Sequence, residues 1–146
     1  MRIAKMRLVS SFLSAVFFMA LVQHGVMFGE QTPEQLAQTS AESWLALVDS
    51  GKYAESWQDA ASLFKAHVTK DQWQSMVGPV RDPLGKNTSR KLKSAKYTTS
   101  LPGAPDGQYV VIQYETSFEH KQSALETVTP MLDKDGKWRV SGYYIK

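Results

Sequence analysis

The sequence predicts an α+β domain in which three N-terminal helices pack on a four-stranded antiparallel sheet. Three observations carry this. Apolar residues recur at helical spacing between Ala37 and Val80. The period switches to two from Lys91 onward, most clearly between Tyr109 and Phe118. Dense turn signals at Leu101–Gly107 and Asp133–Gly136 then divide the alternating part into segments of hairpin length.

The first helix opens at Thr32-Pro33-Glu34-Gln35. Threonine accepts from a free amide, proline is pre-set for the first helical position, and Gln35 closes a capping box. Ala37, Ala41, Trp44, Leu45 and Val48 form its apolar stripe, and Gly51 ends it. A second helix carries Ala54, Trp57, Ala60, Ala61 and Phe64 on one face. Thr69-Lys70-Asp71-Gln72 repeats the capping box and starts a third, with Trp73, Met76, Val77 and Val80; Pro83 and Gly85 stop it. Four strands follow: 91–100, 109–118, about 123–132 and 137–145. In the second, Val110, Ile112, Tyr114, Thr116 and Phe118 face one way, and Tyr109, Val111, Gln113, Glu115 and Ser117 the other. Pro130 marks its strand as an edge or a bulge.

Ahead of this domain, residues 1–29 read as a secretory signal peptide. Arg2, Lys5 and Arg7 form a positive start, Leu8 to Val22 is almost wholly apolar, and no acid precedes Glu30. The apolar core is shorter than the ~20 residues of a spanning helix. No clean small-x-small triplet follows it, so a retained anchor stretched through Phe28 is the alternative. The chain thus divides into 1–29 and a single domain at 30–146, expected in a bacterial periplasm or envelope, or tethered to the inner membrane if the segment is uncleaved.

Of the seventeen basic residues, three lie in that leading segment. The other fourteen balance the fourteen acids, so residues 30–146 are formally neutral. A neutral domain lacks the basic footprint that nucleic acid requires. With no cysteine, disulfides and lipid attachment through cysteine are also excluded. All four tryptophans and all six tyrosines fall after residue 30, whereas four of the six phenylalanines sit at or before Phe28. The domain therefore uses rings with a polar handle, suited to half-buried walls.

Several phrases give the chain a family likeness: Trp44-Leu45, Asp49-Ser50-Gly51-Lys52-Tyr53, Ser56-Trp57, Gln72-Trp73, Arg81-Asp82-Pro83-Leu84-Gly85 and Ser89-Arg90. They continue through Leu101–Tyr109, Tyr114–Phe118, Glu126-Thr127-Val128 and the closing Asp135–Tyr144. On these the chain resembles the bacterial domain-of-unknown-function family 4019, over nearly all of 30–146. The order of elements resembles the cystatin-like and nuclear-transport-factor-2-like folds, whose bent sheet forms a cone-shaped pocket. That resemblance implies a curved sheet and a pocket; it carries over no catalytic residue, because the family has no assigned reaction and such folds host enzymes and binders alike.

Candidate chemistry is sparse. His67 and His120 lie on different elements with no third ligand at metal spacing, and Asp133-x-Asp135-Gly136 lacks the later positions of a calcium loop, so no metal or cofactor is expected. No nucleophile elbow and no glycine-rich phosphate loop is present. What remains is a polar-aromatic set on the sheet and its rim: Tyr109, Glu115, Ser117, Glu126, Arg139 and Tyr143. Arg81 and Arg90 flank it at the helix-to-sheet junction, where they either clamp the Pro83–Gly85 turn or meet a ligand anion. An acid–base enzyme would use Glu115 or Glu126 beside a tyrosine; the alternative is that these carboxylates pair with bases across strands on a solvated face. The expectation is a non-enzymatic module binding a small ligand or an envelope protein through the concave sheet. A small isomerase- or hydrolase-type pocket enzyme is the alternative. An open sheet also leaves an edge through which a homodimer can form.

Overall fold

The computed structural model describes residues 29–146; the signal-or-anchor segment read at 1–29 lies, up to Phe28, outside them. Among the described residues no helix is long and apolar enough to cross a membrane. The domain is α+β, with helices first and an open four-stranded antiparallel meander after them.

Helix α1 spans Pro33–Asp49 and begins with the full capping box at Thr32 and Gln35. Gly51, at φ 72°, turns the chain after it, a conformation that a side chain would strain. The second helix expected from the sequence is in fact two, α2 (Tyr53–Gln58) and α3 (Ser62–His67). Between them Ala60 and Ala61 are fully buried, and the Ala61 amide donates to the Val140 carbonyl of the sheet at 2.8 Å. A continuous helix would keep that amide inside its own ladder, so docking onto the sheet breaks the helix in two. Helix α4 (Lys70–Arg81) starts with the second capping box, at Thr69 and Gln72. Trp73 and Val77 face inward as expected, but Met76 and Val80 are exposed. A 3-10 turn, Asp82–Leu84, leads to Gly85, also at φ 72°.

The strands are β1 (Asn87–Thr98), β2 (Tyr109–Phe118), β3 (Lys121–Leu132) and β4 (Trp138–Ile145), paired in sequence order, so β1 and β4 are the edges. Pro130 therefore sits on an interior strand. It is accommodated by a register shift between Thr129 and Pro130 against β4, where the Ser141 hydroxyl donates to the Thr129 carbonyl.

Helix α1 crosses the inner face of all four strands. Trp44, Leu45, Trp73, Val110, Ile112, Val128 and Val140 form the core beneath it. Where the fold resemblance implied a concave pocket, the inner face is filled by the helices. Ser56, with no exposed surface, ties three of them together. Its carbonyl accepts from the Trp44 indole at 2.8 Å, its hydroxyl accepts from the Trp73 indole at 2.9 Å, and that hydroxyl donates to the Tyr53 carbonyl.

Candidate functional site

The inner face holds one polar island, where the last turns of α1 and α4 meet β1, β3 and β4. Its members are Asp49, Arg81, Arg90, Glu126 and Tyr143. Arg90 donates to both Asp49 carboxylate oxygens, at 2.8 and 3.0 Å, and through Nε to Glu126 Oε1 at 2.9 Å. Arg81 donates to Asp49 Oδ1 at 2.8 Å and to the Tyr143 hydroxyl at 3.3 Å, and its guanidinium lies 4.7 Å from the Phe118 ring centroid. Tyr143 donates to Glu126 Oε2 at 2.6 Å while its ring packs between Trp44 and Trp73.

Two carboxylates thus face two guanidiniums. Glu126 has no exposed surface and Arg81 almost none, whereas Asp49 keeps some contact with solvent. Bare ions could not be held at this depth; pairing and shared hydrogen bonds offset the desolvation. Burial pushes the Asp49 carboxyl up, but the bonds from Arg90 and then Arg81 outweigh it and hold the group below its ordinary range. Burial, reinforced by the Glu126 charge, raises the Tyr143 hydroxyl well above its usual value. Among the described residues, Arg81 Nε, the Tyr114 hydroxyl and Thr116 Oγ1 are buried without a partner. Burial raises Tyr114 to about 12.

Of the residues singled out from the sequence, the fold brings together Glu126, Tyr143, Arg81 and Arg90, and separates the rest. The two arginines grip Asp49 and Glu126 rather than the Pro83–Gly85 turn; it is Asp82 that fastens that turn, accepting from the Tyr53 hydroxyl at 2.6 Å. Glu115 is exposed on the outer face, 4.0 Å from Lys93. Ser117 donates to the Gln122 carbonyl across the β2–β3 hairpin. Tyr109 is buried, and its hydroxyl closes the 101–107 loop by donating to the Pro105 carbonyl at 2.7 Å.

Asp49 was missed. Its signal was present: an acid on the last turn of a helix opposes the helix dipole, so it calls for a cationic partner. No basic residue occupies that turn of α1, and the partners come from α4 and β1.

Arg139 belongs to a second place. It grips Asp135 with two bonds of 2.8 Å and reaches Asp133 at 3.4 Å. Asp133 in turn accepts from the Ser62 amide and hydroxyl at the start of α3. This brace forms one wall of an open cleft of about 550 Å³ between α1, the α2–α3 turn and the β3–β4 hairpin. Ser40, Gln58, Asp59, Lys134, Lys137 and Trp138 contribute to its lining. Among the described residues no group of three or more His, Cys, Asp or Glu side chains is placed to hold a metal ion.

Fold and site together define a small α+β domain in which α1 and α4 are bolted to an open sheet through a buried ion network. Its family is also defined. The model of the family described as Protein of unknown function (DUF4019) matches residues 40–143, and the chain belongs to that family. No match is found among the curated proteins.

Proposed function

We propose that this domain works outside the cytoplasm as a non-enzymatic module that binds a small ligand or a partner protein of the cell envelope. The observation favouring binding over catalysis is the state of Glu126. Its Oε1 is held by Arg90 and its Oε2 by Tyr143, with no surface exposed. A general base must reach a substrate proton at hydrogen-bond distance, and both oxygens of this one are already engaged by the protein. The other carboxylate considered, Glu115, is exposed on the outer face. The open polar cleft beside Arg139, by contrast, is of ligand size. Export is supported by the N-terminal charge and hydropathy pattern.

A thermal-shift screen against envelope metabolites, joined to pull-downs from envelope extract, tests the reading. A ligand that raises the melting temperature with dose, or a partner retained by the wild type, is expected. A screen in which neither appears removes the support for a binding module.

A further inference from the structure

We propose that the cleft between α1, the α2–α3 turn and the β3–β4 hairpin is a saccharide site, with Trp138 as its stacking platform. This rests on the binding reading above and names its ligand class. Tryptophan is a donor only, through its indole N–H, and a buried indole usually finds an acceptor. Three of the four obey: Trp44 donates to the Ser56 carbonyl, Trp73 to the Ser56 hydroxyl and Trp57 to the Val68 carbonyl. Trp138 is half-buried, lines the cleft, and among the described residues its indole N–H has no acceptor in the protein.

The ring is also held ready. One side of Trp138 packs against the core, and its carbonyl accepts from the Ser40 hydroxyl of α1 at 2.8 Å. The Arg139–Asp135–Asp133 brace fixes the hairpin that carries it. A platform ordered in advance lowers the entropy cost of binding.

Around that ring, unengaged donors and acceptors stand side by side. Among the described residues the Gln58 amide, the Asp59 carboxylate and the Lys134 and Lys137 ammonium groups form no bond or ion pair with the protein, and all four residues line the cleft. A sugar presents a face of polarised C–H groups, which suits the negative face of an indole, and a rim of hydroxyls that need both donors and acceptors. An apolar ligand would leave these polar groups unmet. Lining lysines and Arg139 exceed the lining aspartates by one charge, which suits a neutral or carboxylated sugar and offers no strongly basic surface for a polyphosphate.

The test uses protein produced from the full chain and labelled with nitrogen-15, titrated with chitotriose, maltotriose and trigalacturonic acid. Trp138→Phe assigns the Trp138 indole resonance by its disappearance. The expected result is that at least one sugar moves this resonance with saturation, while the indole signals of Trp44, Trp57 and Trp73 stay in place. Trp138→Ala is expected to weaken binding at least tenfold. Asp59→Ala, on an exposed side chain that anchors nothing, is expected to weaken it several-fold with an unchanged spectrum elsewhere. If none of the sugars moves the Trp138 signal, the saccharide assignment is wrong. Should envelope extract then shift resonances on another surface, the binding reading stands without it; if nothing shifts at all, both fall.

Discussion

At the scale of single residues, Tyr114 and Tyr143 offer the sharpest contrast. Both rings belong to the interior, but the Tyr143 hydroxyl bonds Glu126 and Arg81 whereas the Tyr114 hydroxyl is buried without a partner. Removing a group that leaves charged partners unsatisfied costs more than removing an orphan. Tyr143→Phe is therefore expected to lower stability by about 1–3 kcal/mol, and Tyr114→Phe to leave it unchanged or raise it slightly. Urea unfolding of the two variants decides this. Arg90→Ala takes a directly hydrogen-bonded partner from both carboxylates and is expected to cost about 3–5 kcal/mol.

Protonation acts on the same residues. Asp49 titrates lower in the folded chain than in the unfolded one, so the unfolded chain takes up its proton first. The stability it contributes is complete above about pH 4 and is lost as pH falls through the folded value. The tyrosines act in the opposite sense. Tyr53 and Tyr114 are raised to about 12, the first by burial and its bond to Asp82, and Tyr143 is raised further. Their contribution is full below about pH 10 and is lost above it. Unfolding free energy measured against pH should show a plateau between these limits, and Asp49→Asn should flatten the acid limb. A variant that keeps the wild-type acid limb would contradict the assignment.

At the scale of elements, caps and turns set where each helix begins and ends. Thr69→Ala removes half of the second capping box and is expected to cost about 1 kcal/mol. Gly51 and Gly85 share φ 72° but differ in surroundings. A Cβ on Gly51 meets nothing within 4 Å, while on Gly85 it would lie 2.6 Å from Glu119 Oε2 and 3.0 Å from Glu119 Cβ. Glu119 is not free to withdraw without cost, since Oε2 accepts from the Lys86 amide. Gly85→Ala is expected to destabilise more than Gly51→Ala, and thermal melts of the pair test the order. The same reasoning explains the broken second helix. Its apolar spacing is compatible with one helix, and only the contact between Ala61 and Val140 shows why the chain leaves that path.

At the scale of the whole molecule, the ion network joins α1, α4, β1, β3 and β4, elements spread along the chain from Asp49 to Tyr143. The first question about the complete chain is whether the domain is released or tethered. Intact-mass measurement on soluble and membrane fractions is expected to find a soluble form lacking the leading ~29 residues of the signal-peptide reading. A full-length mass confined to membranes would establish the anchor instead.

The sequence by itself determined the α+β class, both capping boxes, the glycine at the end of α1, the span and facing of β2, and the family. These depend on periods and on partners within a few residues, which local order displays. Only the tertiary structure decided that Glu126 lies among arginines while Glu115 faces solvent, and that Arg139 braces a separate cleft. It also decided that Asp49 completes the network and that, among the described residues, Trp138 is the one tryptophan whose indole N–H has no acceptor. Each of these is set by partners far along the chain: Asp49 and Arg90 are forty-one residues apart, and Ser40 and Trp138 ninety-eight. Strand alternation says which side of a sheet a residue takes. Which face is covered, and by what charge, is settled when α1 crosses it.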